Sequence, residues 1–209
     1  VTDGLVGCWD AGNRVSYPTT GTTWTDLVNS NNATLENMVG ESNSGFNPWH
    51  GGVFQYDGSD AYIDLGSITS SNPLMCAGGP VSMCLWVYDV SGVGSSAYPY
   101  NILKGGGDGV NGYGILGDRD GRIQIVCDDE WSGTATGIFL QDKWEFIVAT
   151  IDTSGNMRAY LNGVYYTNDT RNVTAVPPDT TATMTFGKYN WFGGYLGPVY
   201  IYNTLLTDA

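Results

Sequence analysis

The chain has 209 residues, enough for one domain of the larger all-β kind with a core of its own. Asp and Glu number 21 against 8 Lys and Arg, a formal charge of −13, which argues against any partner held by phosphate neutralisation, nucleic acid above all. Only 14% of residues are charged while 30 are Gly and 14 are Tyr, a balance that favours short strands and tight turns over amphipathic helices; no window reaches the ~18 apolar residues of a membrane-spanning helix.

Apolar and polar residues alternate over short runs bounded by Gly, Asn, Asp and Ser, the period of half-buried strands. The runs are 5–10, 53–56, 61–65, 81–88, 114–116, 122–126, 144–152, 157–161, 183–186 and 194–202. That many strands at this spacing predict an all-β fold, an antiparallel sandwich or jelly roll.

The opening, GLVGCWDAGNRVSYPTTGTTWTDLVNSNNATLEN, is unusually rich in side-chain oxygens. They support two readings. Asp10 and Asn13 can close Asx turns while Asn31 and Asn32 take left-handed positions. Equally, Asp10, Asn13, Asp26, Asn29 and Asn32 offer the carboxylates and amides from which calcium draws its roughly six to eight oxygens. Further on, Asp57-Gly58-Ser59-Asp60 reads as a tight turn before a cation loop. The single histidine, His50 in NPWHGG, has no Gly-x-Ser-x-Gly elbow nearby and reads as a turn residue.

In the run 81–88, Val81, Met83, Leu85 and Val87 share one face, as core residues of a strand do. Residues 67–80 and 91–100, rich in Ser, Gly and Pro, are expected surface loops, where a sandwich carries specificity. The Gly-rich run after Lys104 lacks a Gly-Lys-Ser/Thr ending and a following helix, so it reads as a connection rather than a phosphate cradle. Asn162-Gly163 predicts a type I′ hairpin within a three-strand meander. Cys8, Cys76, Cys84 and Cys127 show no Cys-x-x-Cys spacing and read as buried thiols, which leans toward assembly in a reducing compartment.

The segments GLVGCWDAGN, GTTWTDLVNSNNATLEN, GGVFQYDGSDAYIDLG, VSMCLWVY, KWEFIVATIDTSGNMRAYLNGV and FGGYLGPVYIYNTLLTDA occur in an order that resembles the laminin-G-like, concanavalin A-like jelly-roll domains. The opening in particular is similar to versions found in bacteriophage virion proteins. The resemblance implies two face-to-face antiparallel sheets with the first and last strands side by side, and a structural calcium ion, which such domains often carry. It implies one domain over 1–209; Thr207-Asp208 after Leu205-Leu206 reads as a helix start with Thr207 as N-cap, so the native chain is expected to continue past Ala209.

Glucanases of this fold place carboxylates in a Glu-x-Asp-x-x-Glu pattern, and no Glu of this chain sits in one. In Asp128-Asp129-Glu130 at most the outer two share a face, and a solvated turn is the favoured reading. The expected function is therefore a non-enzymatic structural or binding module of a phage virion, a capsid decoration or cement protein or a tail or fibre component. It would be assembled in the host cytoplasm as an oligomer with other virion proteins. The alternative is a carbohydrate-binding adhesin for host surface glycans, ahead of a glycoside hydrolase or lyase. Tyr98, Tyr100, Trp131, Tyr189, Trp191 and Phe192 are the aromatics assigned to carbohydrate or partner contact, with core filling as the competing role.

Overall fold

A computed structural model of the chain describes residues 2–39, 42–94, 99–105, 112–128, 130–166 and 181–206. Among them, sixteen strands build two eight-stranded antiparallel sheets. The first runs β14 (Val164–Tyr166), β13 (Met157–Leu161), β12 (Trp144–Ile151), β7 (Val81–Asp89), β16 (Gly193–Tyr202), β5 (Val53–Asp57) and β4 (Gly45–Asn47). One edge of the long β16 is divided between β5 and β1 (Leu5–Trp9), so the opening and closing strands lie side by side. The second sheet runs β11 (Glu130–Gly133), β10 (Ile123–Cys127), β9 (Tyr113–Gly117), β8 (Tyr100–Lys104), β15 (Ala182–Phe186), β6 (Tyr62–Ile68), β3 (Ala33–Glu36) and β2 (Thr23–Trp24).

Alternation determines which face each strand buries. Val81, Met83, Leu85 and Val87 of β7 meet Ile147, Ala149 and Ile151 of β12 and Val199 and Ile201 of β16 in one core with Ile63, Ile115, Ile125 and Phe186 of the second sheet. A column of rings joins the layers: Tyr17 and Trp24 lie 4.9 and 4.8 Å from Phe54, and Trp9 lies 5.5 Å from Phe186. Edge-to-face contacts at these separations add to the gain from burial alone.

The five strands that the sequence does not indicate, β2, β3, β4, β8 and β11, span two to five residues. Too few alternations fall within such lengths to register as a period. The meander does form: Leu161 pairs with Val164 across Asn162 (φ 51°) and Gly163 (φ 82°), the positive angles of a type I′ turn.

All four thiols are free and buried. Burial pushes Cys8 up to about 11 and Cys76, Cys84 and Cys127 up to about 12. Because the thiolate is the nucleophile, the native protein should resist alkylation by iodoacetamide at pH 8 and take up four equivalents only once unfolded; rapid modification of the native chain would contradict this burial.

Candidate functional site

The same alternation that fills the core turns a set of aromatic rings outward on the first sheet. Trp86 and Tyr88 of β7, Trp144 and Phe146 of β12 and Tyr195 of β16 all face away from the partner sheet. Register then aligns them, since Trp144 pairs with Tyr88, Tyr88 with Tyr195 and Tyr195 with Gln55, while Phe146 pairs with Trp86. Tyr88 lies 5.7 Å from both Trp144 and Tyr195, and Trp86 lies 5.1 Å from Phe146.

Two backbone irregularities open this surface. Between Leu196 and Val199 the pairing of β16 with β7 shifts at Gly197-Pro198. A bulge is where a strand tolerates Pro, which has no N–H for the ladder. A Cβ on Gly197 would stand 3.0 Å from that of Trp86 and 3.7 Å from the Trp144 ring, so its bare backbone leaves space beside both side chains. Opposite, the turn Trp49–Gly51 holds His50 at φ 61° with its imidazole 5.5 Å from the Trp144 ring. The result is a cleft of about 390 Å³ lined by His50, Val53, Trp86, Trp144, Gly197 and Pro198.

A second, more polar cleft of about 460 Å³ is lined by Asn43, Gln55, Asp57 and Ser59 together with Tyr56, Val90, Val93, Gly194 and Tyr195. Tyr195 belongs to this lining and also lies 6.2 Å from His50 and 6.4 Å from Trp144, so its ring stands where the clefts meet. Burial raises the Asp57 carboxyl, but the Ser59, Ala61 and Asp60 amides donating to Oδ1 outweigh it and hold the group below its ordinary value. Asp57 is therefore a fixed anion. At the far end of the row, Lys143 Nζ lies 2.7 Å from Oε1 of the buried Glu145, whose other oxygen accepts from Asn162 Nδ2.

Beside the polar cleft, Asp89 ends β7 as a buried carboxylate. Its Oδ2 accepts from Gln141 Nε2 at 3.0 Å, and its Oδ1 has no hydrogen-bond partner among the described residues. Burial pushes the group up to about 6, against the Gln141 donor and the Arg119 charge and with Asp142 adding to the rise. A folded value above the ordinary 3.8 means that the folded state binds the proton more tightly than the unfolded chain. That contribution to stability is complete below about pH 4 and disappears as pH rises through about 6. Asp89→Asn is thus expected to stabilise the protein by roughly 3 kcal/mol at pH 7 and by well under 1 kcal/mol at pH 4, read from urea denaturation at the two pH values.

The aromatics assigned from the sequence lie elsewhere. Tyr98 falls outside the described residues, and Tyr100 opens β8 in the other sheet. Trp131 and Tyr189 pack against Leu103, Leu116 and Val126, an apolar group on the second sheet apart from the main core. Trp191 lies 6.3 Å from Tyr62, whose ring sits 4.4 Å from Lys188 Nζ. Phe192 must be corrected: it is 1% exposed and packs 5.2 Å from Tyr56, because its N–H donates to the Gly187 carbonyl and folds the turn back into the core. Trp86 and Trp144 were legible only through strand parity, which places them on the outer face.

The opening segment uses its oxygens on its own backbone. Asp10 Oδ1 accepts from Gly12 N and Asn13 Oδ1 from Val15 N, both at 2.9 Å, as Asx turns do. Asn32 Oδ1 accepts from Asp26 N at 3.1 Å, and Asn29 Nδ2 donates to the Val6 carbonyl. Asp26 accepts on Oδ1 from Cys8 N and Val28 N, and on Oδ2 from Asn29 N, Asn31 N and Asn31 Nδ2. Among the described residues no group of three or more His, Cys, Asp or Glu could hold a metal ion. A calcium ion bound through Asp26 would have to displace those donors, and melting with and without millimolar calcium measures whether it does. Asp128 stands at φ 49° between the paired Cys127 and Glu130, in the turn of a hairpin.

The fold is an antiparallel β-sandwich with an aromatic cleft on its outer face, and comparison with known proteins gives its family. Residues 57–209 match the laminin-G-type model of the concanavalin A-like lectin/glucanases superfamily, and the chain belongs to that superfamily. The matched span starts after the opening segment, so the likeness of that segment to phage virion domains lies outside it. No curated protein matches the chain.

Among solved structures, Trypanosoma rangeli sialidase in complex with the inhibitor DANA is 14% identical with a TM-score of 0.68, over 100% of this chain and 32% of the sialidase. The same sialidase in complex with sialic acid gives 15% and 0.63, over 98% and 31%. The binding domain of botulinum neurotoxin serotype D/C gives 17% and 0.67, over 98% of this chain and 50% of that domain. The chain thus spans about a third of the sialidase and half of the toxin domain. At these identities the likeness establishes the fold. It also corrects the expectation that set the chain apart from enzymes, because sialidases are enzymes and the fold occurs within them. No helix among the described residues is long and apolar enough to cross a membrane.

Proposed function

We propose that the chain binds carbohydrate on the outer face of its first sheet. One observation carries this reading: the cleft lined by an exposed Trp86 and a half-buried Trp144, left open because Gly197 has no side chain and Pro198 bulges the strand. Indole rings give large, rigid, apolar faces at low entropic cost, suited to the C–H face of a pyranose, while neighbouring polar groups take its hydroxyls. Membership of a lectin/glucanase superfamily supports the same reading, and a neurotoxin binding domain is among the structures that share the fold. Host surface glycans are the ligands that an adhesin with such a face would meet. The opening segment's resemblance to phage virion domains supports a virion as the setting, tested by fitting the domain into a particle density map.

Glycan-array screening followed by calorimetry on a retained glycan tests the binding. Trp86→Ala and Trp144→Ala should each weaken it about 10- to 30-fold, the ~1.5–2 kcal/mol of a hot-spot aromatic. Binding that survives the double replacement would remove this face from consideration.

A further inference from the structure

Four side chains in register, Trp144, Tyr88, Tyr195 and Gln55, cross the face from the aromatic cleft to the polar one. They span three strand spacings, ~14 Å, more than a single sugar ring covers. Tyr195 lines the polar cleft and lies 6.2 Å from His50 and 6.4 Å from Trp144 of the aromatic one, so the two clefts meet at its ring.

Charge restricts what can lie there. The chain has 8 Lys and Arg, and none lines either cleft among the described residues. Lys104 is buried, Lys143 is ion-paired to Glu145, Lys188 lies over Tyr62, and Arg119 donates to the carbonyl of Val93. Recognition of a sugar carboxylate ordinarily relies on a guanidinium, an ammonium or a cluster of free N–H groups. Here the polar cleft presents the fixed anion Asp57 with the amides of Asn43 and Gln55, inside a chain of formal charge −13. These groups accept from and donate to hydroxyls and acetamides, and they repel carboxylates and sulfates.

We infer that the two clefts form one extended site for a neutral oligosaccharide of three or more units, stacked on Trp86 and Trp144 and hydrogen-bonded at Gln55 and Asp57, and that the site rejects sialylated, uronic and sulfated glycans. The inference rests on the carbohydrate-binding reading above and narrows it to a ligand class.

An array carrying neutral and acidic glycans of one to six units tests it at low ionic strength, where charge effects are least screened. The expected retained set is neutral, with affinity rising up to three or four units and then levelling. Gln55→Lys, a half-buried surface position, should weaken the neutral ligands several-fold and give at least fivefold more binding of their acidic counterparts. Acidic glycans bound as tightly as neutral ones, full affinity for a single sugar unit, or a Gln55→Lys variant that alters neither class would each overturn the inference. If acidic glycans bind and Trp144→Ala abolishes that binding, the carbohydrate-binding reading stands and only the inference fails. An array on which nothing is retained overturns both.

Discussion

Replacing Asp26 by Asn should destabilise the protein by about 3 kcal/mol, nearly as much as replacing it by Ala. The carboxylate is 5% exposed and accepts five N–H donors at 2.9 to 3.1 Å from the strand and loop it joins. An Asn amide is isosteric but carries one acceptor oxygen and one donor nitrogen, so either orientation points N–H at two or three N–H groups. Hydrogen bonds to charged acceptors contribute ~1.5–3 kcal/mol each. Five acting on one group are far from additive, which keeps the estimate near the value of one or two. In a domain of this size the loss corresponds to a fall of about 10 °C in melting temperature. Thermal and urea denaturation of both variants read it, and an Asn variant that keeps more than half of the stability lost by the Ala variant would contradict the anion-acceptor picture.

Trp24→Ala should cost about 4 kcal/mol, while Trp86→Ala costs no more than about 1 kcal/mol. Trp24 is 0% exposed and stands edge-on to Phe54 at 4.8 Å and to Phe186 at 6.1 Å, one ring in each sheet. Removing it leaves a cavity between the layers that the neighbouring rings cannot fill without leaving their rotamers. Trp86 is 41% exposed on the outer face, so its removal uncovers little that was dry. The comparison separates tryptophans that hold the sandwich together from those available to a ligand. Equal losses at the two positions would mean that the outer rings serve stability first.

The large architecture was legible because β7, β12 and β16 run eight to ten residues, long enough for alternation to identify an inner face. Strand aromatics were harder to interpret. Trp144 and Phe146 stand on the outward parity of β12, but an aromatic within a hydrophobic strand looks like core until the partner layer is known. Loop aromatics presented the opposite difficulty, since Phe192 reads as exposed until its turn folds back on Gly187. The opening loop shows a third limit: a count of oxygens does not say whether their lone pairs face a cation or accept from the surrounding amides. Gly197-Pro198 carries a signal in sequence, because Pro in a long closing strand implies a bulge, and a bulge beside two outward-facing tryptophans marks where a surface opens.

Leu5 is paired with Tyr202 and Trp9 with Val199. The start of β1 and the end of β16 therefore lie at the same end of the pair. Tension applied through the chain on both sides of the domain would load this ladder one rung at a time, peeling β1 away from Leu5 toward Trp9 in unzipping rather than shear. Unzipping is the mechanically weak geometry. The bond from Cys8 N to Asp26 and the buried Trp9 would be the last obstacles on that path. Held from one side only, the sandwich would carry a pulled ligand without straining these strands, whereas strung mid-chain between two anchors it would yield at low force.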